Sequence, residues 1–359
     1  MPDFTSALYL GLAHEHASLR PWQQFTAGKP AVLYAMPGAR SVAADLASLT
    51  GCEAATLAPS TLHLFTDLFL IWSHRSTAVY ADGALYRTGM LGLERAAALG
   101  FPVCRFRHHD PQLLRHALRT EASRTPAIVT DGYCPCCGEL APVPAYLDCL
   151  GNRKGWVVID DTQALGVLGR CPSPRVPLGM SGGGILRWFG IRDPRVILIS
   201  SLAKAFGVPI AFLAGARTLV ERFEDVSETR VHSSPISAPV LHAAEEAISF
   251  NENAGDRARG TLMQLILRLR RRLVNSPFHP GGGIFPVQSL SGTCGLPAEE
   301  IHKRLTAAEI QTVLQRHRIS GDPQVAILLT ARHTSRDIDK LANALLAMVD
   351  ATPVMKCHV

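Results

Sequence analysis

Short apolar runs that alternate with helical stretches constrain the fold of this 359-residue chain most strongly. The runs are rich in β-branched residues and have the length of strands that are buried on both faces. They lie at 54–58, 77–81, 126–131, 156–161 and 195–200. Helical patterns lie between them, at 39–51, 91–100, 110–124 and 143–155. This order predicts an α/β fold with a mostly parallel sheet covered by helices.

A different pattern begins near residue 250, where long helical stretches enclose a few short strands. It predicts a smaller C-terminal α+β domain at 249–359, after an N-terminal segment at 1–37 and a large domain at 38–248. A chain of this length with 47% hydrophobic residues can bury a core in each domain. The Pro-, Gly- and Arg-rich stretch at 169–195 is predicted to be a loop that covers the functional site.

Two of the predicted strands lead into residues that can share one chemical task. Asp160 ends the run GWVVID, and Lys204 follows the run RVILISSLA. Ligands of open α/β sheets bind outside the carboxyl ends of the strands. A carboxylate there can hold a protonated ring nitrogen, and a lysine can hold the same ring covalently as a Schiff base. Pyridoxal phosphate (PLP) needs both groups, so the pair predicts a PLP enzyme in which Lys204 and Asp160 are catalytic.

Asp161 directly follows Asp160 and is the competing acid. Successive side chains of a strand point to opposite faces, so only one of the two can face the ring. We expect Asp160 to be that residue.

Hydroxyl-bearing residues near other strand ends are candidates for binding the phosphate. Ser60 and Thr61 open a helix after the first strand, where free backbone amides can bind an anion. Ser and Thr are also the commonest helix caps, which is the alternative. Ser201 is a candidate phosphate donor or a turn-capping serine. Ser233 and Ser234 are candidates for further phosphate contacts, to the cofactor of a neighbouring subunit.

Two further side chains are candidates for contacts with the cofactor ring. Tyr86, which follows a strand together with Asp82, can stack on the pyridine face and is also a catalytic candidate. An ordinary half-buried tyrosine is the alternative. The amide of Gln163 can bond the phenolic oxygen of the cofactor, and a loop glutamine without that role is equally compatible with the sequence.

Charge and hydropathy exclude several other classes of protein. The net charge is +6, and much of it lies in the run Arg268–Arg272 of a helical stretch. A solvated helix face explains this run better than nucleic-acid binding does. The segment LHLFTDLFLIW is too short to span a bilayer and predicts a buried helix, so no membrane association is expected.

Cysteine usage and the first residues bear on the cellular compartment. Three of the nine cysteines crowd into 134–137, but a second pair that would complete a zinc site is missing from the sequence pattern. Free thiols are the better interpretation, and no metal is predicted. The first residues do not resemble a secretory signal, so we predict a cytoplasmic protein.

Five motifs, in order along nearly the whole chain, resemble those of fold-type I PLP enzymes, most closely the α-oxoamine synthases. That family typically reads F-x-S-N-D-Y-L-G-L, V-D-D-A-H-x-x-G-V-x-G, T-x-x-K-x-F-G and Y-S-T-x-x-P-P, followed by a closing strand and helix. The matching segments here are FTSALYLGLAHEH, VIDDTQALGVLG, SLAKAFG, HSSPISAP and LLTARHTSRDIDKLANAL. The resemblance implies a sheet of the seven-stranded type. It also implies a homodimer in which Ser233 and Ser234 reach the phosphate of the neighbouring subunit.

Three departures from the family pattern affect the expected reaction. Tyr86 stands where the family stacks a histidine, and Gln163 replaces the histidine of the D-x-x-H motif. Ala326 replaces an arginine that holds the substrate carboxylate. A D-x-x-Q motif with an aromatic stacker resembles the class III aminotransferases. The first expectation is therefore an aminotransferase that acts on a small metabolite through Lys204.

Two alternatives stay open at the level of the sequence. One is an α-oxoamine-synthase-like acyltransferase that condenses an amino acid with an acyl thioester. The other is a non-catalytic partner subunit, which the retention of Asp160 and Lys204 argues against. If the substrate carries a carboxylate, Arg230, Arg318 and Arg332 are the candidates to bind it.

Overall fold

The computed structural model describes residues 1–14, 25–120, 123–293 and 295–350, without the side chain of residue 350. The chain divides into two compact units. One contains residues 12–134 and 140–256, and the other contains residues 1–11, 135–139 and those from 257 onward. The domain boundaries predicted at 37/38 and 248/249 stay predictions. The last two residues of the first family motif, 15 and 16, lie outside the described residues.

The larger unit is built on a seven-stranded sheet, as predicted. Its order is β1-β9-β8-β7-β4-β2-β3, in which β9 runs antiparallel to both β8 and β1 and the remaining neighbours are parallel. Two-residue strands β5 and β6 flank residues 135–138. The strands up to β9 are β1 Ala54–Ala58, β2 Thr77–Asp82, β3 Val103–Phe106, β4 Thr125–Asp131, β5 Tyr133–Cys134, β6 Glu139–Leu140, β7 Trp156–Asp160, β8 Val196–Ser201 and β9 Ala211–Gly215.

Helices connect these strands. They are α1 Ala39–Thr50, α2 Thr61–Leu68, α3 Arg87–Ala98, α4 Pro111–Thr120, α5 Val143–Leu150, α6 Gly184–Phe189, α7 Arg217–Val226, α8 Glu228–His232 and α9 Ala238–Phe250. A 3-10 turn at Phe69–Ile71 prolongs α2, so LHLFTDLFLIW forms a largely buried helical stretch, as predicted. Within the described residues, no helix is long and apolar enough to cross a membrane.

The core of the larger unit lies between α2 and the sheet. Leu64, Phe65 and Leu68 of α2 are fully buried in one cluster with strand residues such as Val129 and Val158. Removing a buried leucine side chain of this kind typically costs about 2–5 kcal/mol. The packing fixes α2, and with it the helix start at Thr61, against the strands that end in Asp160 and Ser201.

The prediction of a continuous loop at 169–195 is wrong in part, because α6 lies within it. Ile185 and Leu186 are buried in that helix, and this apolar burial stabilises it although glycines surround its start. Strands β3 and β9 were not predicted. The segments VCRF and AFLAG are short, and AFLAG consists mostly of small residues with low β-propensity.

The smaller unit has a three-stranded antiparallel sheet of order β10-β12-β11. Its C-terminal elements are α10 Asp256–Leu273, β10 Val287–Ser291, α11 Ala298–Ala307, β11 Val313–Arg316, β12 Pro323–Leu328 and α12 Ser335–Asp350. The basic run of α10 is not simply a solvated face, since Arg268 forms an ion pair of 2.5 Å with Asp339 of α12. Arg272 also bonds Asn343 of that helix.

Candidate active site

The two neighbouring acids of the site occupy different environments. Asp160 ends β7, between Asp131 of β4 and Ile199 of β8. It keeps 6% of its surface exposed, and its Oδ1 accepts a hydrogen bond of 3.0 Å from the amide of Thr162. Asp161 is completely buried and accepts from the amide of Ile185 at 3.1 Å. The geometry therefore leaves Asp160 as the acid that a ligand can reach.

Lys204 lies on a tight turn between β8 and β9 and is half-buried. The amide of Val208 donates to the carbonyl of Leu202 at 3.1 Å, and that of Gly207 donates to Lys204 at 3.3 Å. Gly207 has a φ of +66°, which favours glycine. These bonds hold the lysine in one backbone position just beyond the end of β8, next to the strand that carries Asp160.

Ser201 stabilises the same turn. Its hydroxyl donates to the carbonyl of Ile210 at 3.2 Å and accepts from the amide of Ala203 at 3.1 Å. This supports the turn-capping alternative for Ser201, and its contact with the phosphate stays a prediction. The amide of Ser201 also donates to Oγ1 of Thr162 at 3.2 Å, which joins the Lys204 and Asp160 segments directly.

Ser60 caps α2 by its backbone and not by its side chain. Its backbone is extended, with φ −159° and ψ 164°, and its side chain makes no capping bond to the first turn. The hydroxyl instead pairs with Nδ1 of His63 at 2.9 Å. The amides of the first turn, which begins at Thr61, are thus left without a side-chain cap and suit an anion.

Ser233 and Ser234 follow α8 and border a cavity of about 470 Å³. Ser233 is half-buried and Ser234 is exposed. Arg230 lines the same cavity, but its Nη1 donates to Oε1 of Glu224 at 2.8 Å and to Oγ1 of Thr56 at 3.0 Å. Arg230 therefore already forms an ion pair with a carboxylate of this chain.

Tyr86 and Gln163 are accessible to a ligand. Tyr86 caps α3, its amide donates to Oδ1 of Asp131 at 3.2 Å, and the residue is 50% exposed. Gln163 is half-buried in the turn after β7. Both positions are compatible with the predicted ring contacts, which stay predictions.

Asp82 stabilises the end of strand β2. It is 1% exposed and accepts from Nδ1 of His108 at 2.6 Å, from the amide of His109 at 3.0 Å and from the amide of Ala84 at 2.8 Å. Burial would raise the pKa of Asp82, but the hydrogen bond from His108 and these amides lower it overall. The residue ties the ends of β2 and β3 together.

His108 is correspondingly held in its charged form. Burial alone would lower its pKa, but the hydrogen bond and charge of Asp82, together with a hydrogen bond to Cys134, raise it to about 9. At neutral pH the imidazolium and the carboxylate of Asp82 therefore form an ion pair next to the candidate site.

Asp131, Thr162 and His108 were missed by sequence reasoning. The sequence could have indicated Asp131 as a site residue, because it ends a predicted strand as Asp160 does. The partnership of Thr162 with Ser201 depends on the pairing of β7 with β8, and no local pattern encodes it.

The residue that stands in place of the family's carboxylate-binding arginine belongs to the smaller unit's sheet. Ala326 lies on its central strand, between Ser289 and Val313, and is 1% exposed. Arg332 of that unit donates to the carbonyl of Gly11 at 2.6 Å. Arg318 is half-buried in the connection between β11 and β12.

The seven cysteines of the described ranges form no disulfide bond with one another. They are Cys52, Cys104, Cys134, Cys136, Cys137, Cys149 and Cys171.

The chemistry of the larger unit's donor set fits PLP. A reachable carboxylate and a lysine lie at the ends of adjacent parallel strands. A helix start without a side-chain cap follows β1, and an exposed aromatic ring follows β2. These groups match an anionic phosphate, a cationic ring nitrogen and an aromatic face.

Comparisons with known proteins agree with this chemistry. The family model for class I and II aminotransferases matches residues 93–345. The 8-amino-7-oxononanoate synthase of Halorhodospira halophila is 29% identical over 325 residues, 88% of this chain and 76% of that protein. The enzyme of the same name from Chromobacterium violaceum is 29% identical over 361 residues, which cover 96% and 88% of the two chains.

Solved structures share the fold. The 8-amino-7-oxononanoate synthase of Francisella tularensis superposes with a TM-score of 0.77 at 17% identity, over 98% of both chains. The serine palmitoyltransferase of Sphingomonas wittichii gives a TM-score of 0.83 at 16% identity, over 97% of this chain and 87% of that one.

Proposed function

The chain belongs to the family of class I and II aminotransferases, and on this premise we propose that it is a PLP-dependent acyltransferase of the α-oxoamine synthase type. It would condense an amino acid with an acyl thioester. The main support for a PLP-dependent enzyme is the placement of Asp160 and Lys204 at the ends of the adjacent parallel strands β7 and β8. The relatives that match along most of the chain carry the choice of reaction.

PLP, predicted as the cofactor, is confirmed by the family and its relatives. When bound, it supplies an electron sink for negative charge at the carbon beside the amino group. Lys204 would hold it covalently, and Asp160 would keep its ring nitrogen charged. Tyr86 would cover one face of the ring, and Gln163 would bond its phenolic oxygen. The amides at Thr61 would bind its phosphate.

The relatives favour the acyltransferase over the aminotransferase, which was the first expectation from the sequence. The replacements at positions 86 and 163 leave the lysine and the ring carboxylate in place. The amide of Gln163, unlike the histidine that it replaces in the family pattern, has no titratable group. Lys204 Nζ, once released from the cofactor, is therefore the group that would move the proton at the substrate carbon.

We expect weak binding of the amino-acid carboxylate, because Ala326 replaces the arginine that binds it in the resembled family. An arginine–carboxylate bond contributes about 1.5–3 kcal/mol, so its loss weakens binding roughly tenfold to a hundredfold. We expect saturation with simple amino acids such as glycine only at high concentration.

The test is a thiol-release assay on the PLP-loaded protein, with glycine, alanine or serine and a series of acyl-CoA esters. The expected result is CoA release that needs both substrates and is absent from Lys204→Ala. Lys154→Ala, at an exposed lysine, is the matched control. If no pair releases CoA, while an amino donor alone converts the cofactor to its amine form, the aminotransferase is the correct function.

We also propose that the protein is a homodimer. Val32, Leu33 and Val231 are 45%, 74% and 45% exposed. The backbone places them beside the candidate phosphate serines, because the amide of Ala31 donates to the carbonyl of Ser233 at 2.8 Å. Exposed apolar side chains beside a predicted intersubunit contact support an interface with a second copy. The cytoplasmic location stays a prediction.

A further inference from the structure

We propose that Asp161 is an uncharged positioning residue, whose buried carboxyl ties the start of α6 to the end of β7. The negative charge of this strand end then rests on Asp160. The state of Asp161 concerns the folded protein itself. Only the use of Asp160 as the partner of the cofactor ring rests on the proposed function.

The hydrogen bonds of Asp161 show that both its backbone and its side chain hold the fold together. Its amide donates to the carbonyl of Ile199 at 2.8 Å, and its carbonyl accepts from Ala164 and Leu165 at 3.0 and 2.9 Å. Its Oδ2 accepts from the amide of Ile185 at 3.1 Å. One residue thus joins the end of β7 to β8, to the following turn and to α6.

The cavity around the carboxyl is shaped by two glycines. A Cβ atom on Gly132 would lie 2.8 Å from Oδ1, and one on Gly184 would lie 1.9 Å from Oδ2. Gly184 also has a φ of +79°, which favours glycine. The backbone therefore approaches both carboxyl oxygens too closely for any side chain to intervene.

Among the described residues, only the amide hydrogen bond from Ile185 offsets a negative charge in this cavity. Asp161 is 0% exposed, and within the described ranges Oδ1 has no hydrogen-bond partner and the carboxylate forms no ion pair. Burying an unpaired carboxylate costs several kcal/mol, so such a group takes up a proton instead. Burial, opposed by the bond from Ile185 and reinforced by the charge of Asp160, raises the pKa of Asp161 well above its ordinary value.

The ionisable neighbours do not change this conclusion. Asp160 adds a like charge. Burial raises the pKa of Cys52 to about 11, so that neighbour is a neutral thiol. Arg187, on the same helix as Ile185, directs its guanidinium to the carbonyls of Leu49 and Ser48 at 3.0 and 2.5 Å.

Protonation of Asp161 in the fold has a measurable consequence for stability. In the unfolded chain the residue ionises above about pH 3.9, whereas in the folded chain it stays neutral to much higher pH. Its contribution to stability is thus fully present below that value and is lost as the pH rises towards the folded pKa. A variant without the ionisable group escapes this loss.

The test compares the thermal unfolding midpoints of the PLP-loaded wild type and Asp161→Asn at about pH 5 and about pH 8. The amide of the variant can still accept the bond from Ile185. We expect the variant's midpoint to rise relative to that of the wild type as the pH rises. A difference that is constant or falls with pH would show that Asp161 is ionised in the fold and would overturn the proposal.

A second variant and a second readout separate positioning from general damage. Asp161→Leu also removes the ionisable group and must show the same pH trend, but it loses the acceptor for Ile185 and should bind PLP more weakly than Asp161→Asn. The pH midpoint of the bound cofactor's absorbance should be the same in Asp161→Asn and wild type, because no charge is removed. A shifted midpoint, or equal PLP affinity of the two variants, would contradict the proposal. None of these measurements requires turnover, so they stand even if the proposed reaction is wrong.

Discussion

The amide of Ser201 donates a hydrogen bond to Oγ1 of Thr162 at 3.2 Å, and this bond joins the two segments that carry Lys204 and Asp160. It crosses from the end of β8 to the turn after β7. The segments of the proposed covalent anchor and the proposed ring carboxylate are thus hydrogen-bonded to each other without any bound cofactor.

Thr162→Val should weaken cofactor binding, because it removes this acceptor while keeping the shape of the side chain. A neutral hydrogen bond contributes about 0.5–1.5 kcal/mol, so we expect a loss of about twofold to tenfold in PLP affinity. Titration of the apoprotein with PLP, followed by absorbance, measures it. Thr162→Ser keeps the hydroxyl and should bind like the wild type. Equal affinities of all three proteins would show that the bond is unimportant for the site.

Lys204→Ala should abolish both the visible absorption of the covalently held cofactor and turnover. The reason is that Lys204 is the amine on the hydrogen-bonded turn beyond β8. Absorbance spectra and the CoA-release assay, run beside the exposed-site control Lys154→Ala, measure the effect. A Lys204→Ala protein with the wild-type spectrum would mean that another lysine is the anchor.

Asp160→Asn should lower turnover by several orders of magnitude, because a neutral amide no longer keeps the ring nitrogen charged. PLP affinity should fall less, since the proposed phosphate contacts at the start of α2 are untouched. Steady-state rates at saturating PLP separate the two effects. The register of β7 would be off by one residue if Asp161→Asn lowered the rate more than Asp160→Asn.

The ion pair of His108 with Asp82 predicts a pH dependence of stability. The folded pKa of His108, about 9, lies above its unfolded value of about 6.5. Its stabilisation is therefore fully present below about pH 6.5 and is lost as the pH rises through about 9. The pair is largely buried, with 11% and 2% of the two side chains exposed, so we expect about 1.5–3 kcal/mol.

Denaturant unfolding of His108→Asn measures this contribution. The variant should be less stable than the wild type at about pH 6 and nearly equal to it at about pH 10, because asparagine can donate the bond but carries no charge. His116→Asn, at an exposed position of α4, should show no such trend. A stability gap for His108→Asn that persists at high pH would argue for a packing role and against the ion pair.

Leu33→Asp should dissociate the proposed homodimer, because it places a charge in the apolar surface beside Ser233. Light scattering over a range of protein concentrations measures the oligomeric state. Leu113→Asp, at a 46% exposed position of α4, is the matched control and should stay dimeric. A wild-type protein that is monomeric and active with PLP bound would exclude the dimer.

The sheet was predictable because its central strands are buried on both faces and therefore read as unbroken apolar runs. The end of β7 was predictable too, since two successive residues of a strand cannot face the same way, and Asp160 and Asp161 do lie in different environments. Helix α6 was not predictable, because glycines dominate its start and have a low helix propensity. The burial of Ile185 and Leu186 in the tertiary structure overrides that propensity.

The hydrogen bonds within the site could not be predicted from the sequence, for a different reason. The bond between Thr162 and Ser201, and the contact of His108 with Asp82, join segments whose proximity depends on which strands pair and in which register. The replacements at single positions favour an aminotransferase, whereas the relatives that match along most of the chain support the proposed acyltransferase.

The position of β1 at the edge of the sheet has a consequence for synthesis of the protein. The strand that leads into Ser60 pairs with β9, with Ala54 opposite Gly215, so much of the larger unit must leave the ribosome before that pairing can form. The remaining strands from β2 to β8 can pair earlier, because they precede β9 in the chain. The end of β7, with Asp160, can therefore be ordered before β1 acquires its partner. The Lys204 turn closes only as β9 pairs with β8, so it forms at the same stage of synthesis as the support of β1.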